Sequence, residues 1–154
     1  MVINMEVLTK NAQETQKLGQ ELANNLSFGK LRSRRHARVV CLYGELGSGK
    51  TTFTQGVAAG LGIKQRITSP TFVYIRNYTL YPSPYTLYHI DLYRIESLND
   101  AKALGIEEIL QNKNNIVLIE WPEKIKDILP NKRTEIYFEY LSENERKLTI
   151  KEYQ

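Results

Sequence analysis

Residues 39–52 read Val39-Val40-Cys41-Leu42-Tyr43-Gly44-Glu45-Leu46-Gly47-Ser48-Gly49-Lys50-Thr51-Thr52, and this order decides the fold. Gly44, Gly49, Lys50 and Thr51 stand at the fixed positions of the pattern G-x-x-x-x-G-K-[ST]. Glycines there let successive backbone N–H groups turn inward and form a concave anion site that a Cβ would obstruct. A helix starting at the loop adds its unpaired N–H donors and the positive end of its dipole. In this pattern Lys50 reaches the β- and γ-phosphates of a nucleotide, and the Thr51 hydroxyl is placed for Mg²⁺.

The flanks agree with that reading. Val39 to Tyr43 is an apolar run of the kind that forms a buried parallel strand. Phe53, Val57, Ala58 and Leu61 recur at i, i+4, i+5 and i+8, one face of a helix, and Gly60 and Gly62 offer places for it to stop. By chance alone the pattern arises in roughly 1 chain of this length in 200. A strand before it and a helix after it make a bland glycine turn the weaker explanation.

The 154 residues fit one domain, 1–154, with enough chain to bury a core. A composition 42% apolar and 25% charged is ordinary for a soluble globular protein. No apolar run approaches the ~18 residues that span a bilayer, and Met1 to Lys10 has no secretory pattern. Cys41, the one cysteine, has no disulfide partner and no metal-ligand companions. The expected location is therefore cytoplasmic. The net charge of +4 is compatible with a nucleic-acid partner without requiring one.

Before the central strand, Asn11 is placed to cap a first helix with Glu14 as its capping-box partner, and Thr15, Leu18, Leu22 and Leu26 continue it toward Gly29. Lys30, Arg32, Arg34, Arg35, His36 and Arg38 follow. This basic run reads as a solvated loop feeding the strand more readily than as an RNA-phosphate contact.

After the P-loop helix, Thr68-Ser69-Pro70-Thr71-Phe72 opens an extended segment. Phe72 to Ile75 and Tyr85 to Ile90 are rich in β-formers around Pro82-Ser83-Pro84, predicting a hairpin whose second run ends in Asp91-Leu92-Tyr93-Arg94. Ser97 or Asn99 is placed to cap a short helix that Gly105 ends, and Ile106 to Leu110 forms another turn or two. Ile116-Val117-Leu118-Ile119 ends in Glu120, the form of a Walker B strand whose acid holds Mg²⁺ or its water. Trp121-Pro122-Glu123 follows at the strand's C-terminal edge, where ligands bind in open α/β sheets. Thr134 to Leu141 and Lys147 to Tyr153 predict two strands about a turn at Ser142 to Glu145.

Taken together, Gly44 to Phe53, Thr68 to Phe72, His89-Ile90-Asp91-Leu92-Tyr93-Arg94 and Ile119 to Glu123 resemble the TsaE (YjeE) proteins. The likeness runs from about Thr9 to Glu123. These are bacterial P-loop ATPases required for making threonylcarbamoyladenosine in tRNA. The resemblance implies a single α/β P-loop NTPase-like domain. Its sheet would be mixed and mostly parallel, flanked by helices, with a β-hairpin and a C-terminal β tail. It implies Mg-dependent binding and hydrolysis of ATP, with TsaD and TsaB as partners and tRNA contacted indirectly or weakly. Carried over by motif, Gly47, Ser48, Gly49, Lys50, Thr51 and Thr52 bind phosphates, while Thr51 and Glu120 hold the metal. Asp91 is an acid needed for turnover, alongside Glu120 and Lys50. Trp121 lines the site, and Glu123 and Ala12 are further nucleotide contacts. His89 is a motif position with a structural role expected of it.

A small-molecule kinase is the first rival, but such enzymes bring lid arginines over the phosphates, and none occurs between Arg94 and Arg133. A GTPase needs N-K-x-D, and both Asn112-Lys113-Asn114-Asn115 and Asn131-Lys132-Arg133-Thr134 lack its aspartate. A nucleotide-dependent binding module with negligible turnover is the third alternative.

Overall fold

A computed structural model describes residues 2–28, 35–70 and 72–154. Apolar runs and helical periodicities become a seven-stranded sheet in the order β1-β7-β6-β2-β5-β4-β3. The strands are β1 (Val2–Thr9), β2 (Arg38–Tyr43), β3 (Ile75–Thr79), β4 (Thr86–Asp91), β5 (Asn115–Glu120), β6 (Arg133–Tyr140) and β7 (Arg146–Tyr153). The helices are α1 (Ala12–Phe28), α2 (Lys50–Gly60), α3 (Leu98–Ala103) and α4 (Ile106–Gln111). The four central strands β6, β2, β5 and β4 run parallel. The antiparallel hairpin β3–β4 closes one side, and the antiparallel β6–β7–β1 tail closes the other.

Every residue of β5 is buried, because helices cover both faces of the sheet there and a continuous apolar run is what such a strand requires. One core holds Val40, Leu42, Leu118, Ile136 and Leu148 under Phe53 and Val57 of α2 and Ala23 and Leu26 of α1. The other holds Val39, Cys41, Val117 and Ile119 under Ala101, Ile106 and Leu110 of α3 and α4. α1 and α2 meet backbone to backbone. A Cβ on Gly19 would lie 2.4 Å from the Phe53 carbonyl oxygen, and one on Gly56 would lie 2.1 Å from that of Gln16. This contact carries the first turn of α1 to the side of the P-loop. Among the described residues no helix is long and apolar enough to cross a membrane.

Several local expectations change. Residues 72–74 form a turn instead of a strand: the amides of Val73 and Tyr74 both donate to the Pro70 carbonyl, and Phe72 is 80% exposed. The hairpin is real, but its first strand starts at Ile75. Asn11 caps α1 through the Glu14 amide, whereas the Glu14 carboxylate accepts from Lys10 N–H instead of from Asn11 itself. α2 does stop at Gly60, with Leu61 as its C-cap, and the bare Cα of Gly60 also admits α1. Arg38 is no solvated loop residue. It opens β2, is buried, and lies 4.7 Å over the Tyr85 ring. Gly29, Lys30, Arg32, Arg34 and Thr71 lie outside the described residues. The short cap is Ser97, whose Oγ accepts from Asp100 N–H. Strand β1 and the 3-10 segment Pro122–Ile128 were not anticipated.

Candidate functional site

The site gathers at the C-terminal ends of β2, β4 and β5. The chain leaves β2 at Tyr43, turns through residues 44–49 and enters α2 at Lys50. Gly49 has φ +106, and a Cβ on Gly44 would approach Ser48 Oγ to 2.7 Å and the Phe138 carbonyl to 2.9 Å. Both glycines are therefore required by the local geometry. Ser48 is buried, Gly47 is exposed, and Thr51 and Thr52 are half-buried in the first turn of α2.

Lys50 is buried. Its ammonium donates to the Gly44 carbonyl and sits 4.4 Å from the centre of the Trp121 ring. Burial pulls its pKa below the ordinary lysine value, opposed by the charges of Glu120, Asp91, Glu123 and Glu45. Four carboxylates thus bear on one cation. Asp91 and Glu120 are register partners on the adjacent parallel strands β4 and β5, so their carboxyl groups leave the sheet at the same level.

Each acid has its own anchor. Asp91 Oδ2 accepts from Ser69 Oγ at 3.0 Å, and Oδ1 accepts from the Tyr93 amide at 2.9 Å. Glu120 Oε2 accepts from His89 Nε2 at 2.9 Å, with both side chains buried. His89 thus holds one carboxylate oxygen of Glu120 inside the sheet. Trp121, directly after Glu120, has φ 59 and ψ 48, a left-handed conformation uncommon for a bulky residue and a frequent companion of functional sites. It turns the indole back over Lys50. Glu123 is exposed on the turn beyond. It reaches the site through its charge on Lys50.

Ala12 lines a pocket beside the P-loop with Thr15, Gly49, Thr52, Glu143, Asn144 and Arg146. Asp91, Glu120, Glu123 and Trp121 thus converge on Lys50, while Ala12 meets the P-loop at Gly49 and Thr52. Sequence reasoning missed Arg146. From the first position of β7 its guanidinium donates to Ser48 O at 3.1 Å and Gly47 O at 3.2 Å, and it stacks 4.5 Å over Tyr140. It lies 98 residues from Ser48, so no local pattern marks it. Among the described residues no group of three or more His, Cys, Asp or Glu side chains is arranged to hold a metal.

A glycine-rich loop between a central parallel strand and a helix N-terminus, with an acid at the end of the neighbouring strand, defines the P-loop class of α/β proteins. Within that class the chain belongs to the TsaE family: residues 9–148 match the family described as threonylcarbamoyl adenosine biosynthesis protein TsaE. It is 35% identical to the tRNA threonylcarbamoyladenosine biosynthesis protein TsaE of Treponema pallidum, over 95% of this chain and 99% of that one. It is 40% identical to the Bacillus subtilis protein of the same name, over 73% of this chain and 68% of that one. The fold is similar to the crystal structure of Bacillus subtilis YdiB, with a TM-score of 0.75 and 31% identity, covering 100% of this chain and 88% of that one.

Proposed function

We propose that this chain binds ATP with Mg²⁺ and hydrolyses it in support of threonylcarbamoyladenosine formation in tRNA, acting with TsaD and TsaB in the cytoplasm and touching tRNA indirectly or weakly. The observation that carries this reading is the pairing of Asp91 with Glu120 at adjacent strand ends, both charges bearing on Lys50 at the mouth of the P-loop. The names of the relatives supply the pathway, and the site chemistry supplies the nucleotide.

The backbone of residues 47–52 and the α2 N-terminus cradle the phosphates. Lys50 leaves the Gly44 carbonyl for the β- and γ-phosphate oxygens, a stronger, charge-assisted partner. Thr51 Oγ1 and Glu120 would hold Mg²⁺, which when bound supplies charge neutralisation at the transferring phosphoryl group. Two protein ligands suit a cation that keeps several waters and takes phosphate oxygens, and this fits the described donor set. Asp91, held at both oxygens, orients the attacking water. Trp121 screens the ammonium from solvent. The pocket under Ala12 and Arg146 accepts the remainder of the nucleotide.

The test is ATP hydrolysis by the chain alone and then with TsaD, TsaB and tRNA added. Turnover should be slow alone, because the sequence between Arg94 and Arg133 offers no arginine for a lid, and should rise on addition. Lys50→Ala should weaken ADP binding, read from the fluorescence of Trp121, the chain's one tryptophan. Glu120→Gln and Asp91→Asn should bind ADP and fail to turn over. ADP and ATP should displace a fluorescent ADP far better than GDP and GTP. Full hydrolysis by Glu120→Gln with unchanged Mg²⁺ dependence would refute its role.

A further inference from the structure

Strand β1 is the last strand of the sheet beyond β7, and among the described residues its outer edge carries no strand. Sheet edges are ordinarily blunted by shortness, charge, proline or a bulge. The opposite edge follows that rule: β3 is five residues long and contains Arg76. β1 does not. It is eight residues long, reads Val-Ile-Asn-Met-Glu-Val-Leu-Thr, and pairs with β7 at every position without a bulge. Its one charge, Glu6, is already matched by Lys147 Nζ at 3.3 Å.

The strand carries exposed apolar side chains on both faces. Register with β7 puts Ile3, Met5 and Val7 on the side of Ile150 and Leu148, the α1–α2 face, and puts Val2, Asn4, Glu6 and Leu8 on the other. α1 packs on α2 and stops short of covering β1. Val2 is 51% exposed and Leu8 65% on one face, Ile3 44% and Met5 50% on the other.

We propose that β1 is the interface of a two-fold homodimer, in which the β1 strands of two copies pair antiparallel about an axis at Met5 and join two sheets into one. An axis perpendicular to the sheet keeps each face on its own side, so only residues of the same parity stand opposite one another. Centred on Met5, the register sets Ile3 against Val7 and Val2 against Leu8, and places the Asn4 amide against the Glu6 carboxylate. Apolar meets apolar at each such pair. Centred on Glu6, two carboxylates would face each other. Centred on Asn4, Val2 would oppose Glu6, and Val7 and Leu8 would stay unpaired. The strand complements itself in one register, and a second copy is the partner that presents this pattern. An edge about 27 Å long gives an interface at the small end of specific ones, under ~1,200 Å², so dimerisation should depend on protein concentration.

Sedimentation velocity of the full chain from 1 to 300 µM tests this. A monomer–dimer equilibrium is expected. Met5→Lys, which sets two ammonium groups face to face at a half-exposed position, should give monomers across that range with ADP binding and circular dichroism unchanged. Met5→Cys should cross-link to a dimer on mild oxidation, and Cys41, fully buried, should not compete. A wild-type chain that stays monomeric at 300 µM overturns the proposal. So does a dimer that survives Met5→Lys and that Met5→Cys does not trap, since it would use another surface.

Discussion

His89 and Glu120 share a buried hydrogen bond, Nε2 to Oε2 at 2.9 Å, between the adjacent central strands β4 and β5. A carboxylate accepts only, so Nε2 carries the hydrogen. Nδ1 has no partner among the described residues. The imidazole thereby fixes one oxygen of the acid and leaves the other unengaged by it.

Loss of that anchor should separate chemistry from binding. His89→Ala is expected to lower partner-stimulated hydrolysis about 10–100-fold and raise the Mg²⁺ needed for half-maximal rate. ADP binding measured in EDTA should hold. His89→Gln, which retains an N–H donor, should recover part of the rate. Equal loss in both variants with Mg²⁺ dependence unmoved would show that His89 only fills space.

Arg146 braces the P-loop from β7 through the carbonyls of Gly47 and Ser48. Arg146→Ala should weaken ADP binding about tenfold, equivalent to ~1.4 kcal/mol, by loosening the loop and removing one wall of the Ala12 pocket. Arg146→Lys should not restore it, because a single ammonium lacks the fork that serves several carbonyls. Titration of Trp121 fluorescence with ADP reads both.

Glu135 makes stability acid-sensitive. Burial would raise its pKa, but hydrogen bonds from Tyr137 and Arg133 outweigh this and hold it below its ordinary 4.5. Arg133 NH2 lies 2.7 Å from Oε1. A carboxyl lowered on folding binds fewer protons in the native state than in the unfolded one. Its stabilisation is thus complete above about pH 4.5 and fades as pH falls through the folded value. Glu135→Gln should cost about 2 kcal/mol at pH 7 and progressively less in acid. Urea unfolding from pH 2.5 to 7 checks the convergence.

Cys41 should be inert in the native protein. Burial, followed by the charge of Glu135, pushes its thiol up to about 12, so almost no thiolate exists at pH 8. Iodoacetamide at pH 8 should leave Cys41 unmodified by mass spectrometry until urea unfolds the chain. Labelling at the rate of a free thiol in buffer would contradict the burial.

The P-loop, its strand and helix, the acid at the end of β5 and the hairpin before Asp91 were all legible in the sequence, because each depends on neighbours within a few residues. Glycines where a Cβ collides, helical spacing from Phe53 to Leu61 and an unbroken apolar run into Glu120 are local requirements, and local requirements leave local patterns. The turn at residues 72–74 was not legible. Its β-formers were overridden by the Pro70 carbonyl, which captures two amides, and only the folded path of the chain reveals that preference. Nor was the strand character of β1, which depends on β7, a strand nearly 140 residues later that supplies its hydrogen bonds. The pairing of His89 with Glu120, the reach of Arg146 to Ser48 and the approach of Ala12 to Thr52 belong to the same class. Each joins residues 31 or more apart in the chain, brought together by strand order and by the glycine contact between α1 and α2. Local sequence specified the chemistry carried to the site, and the sheet order decided which side chains hold that chemistry in place.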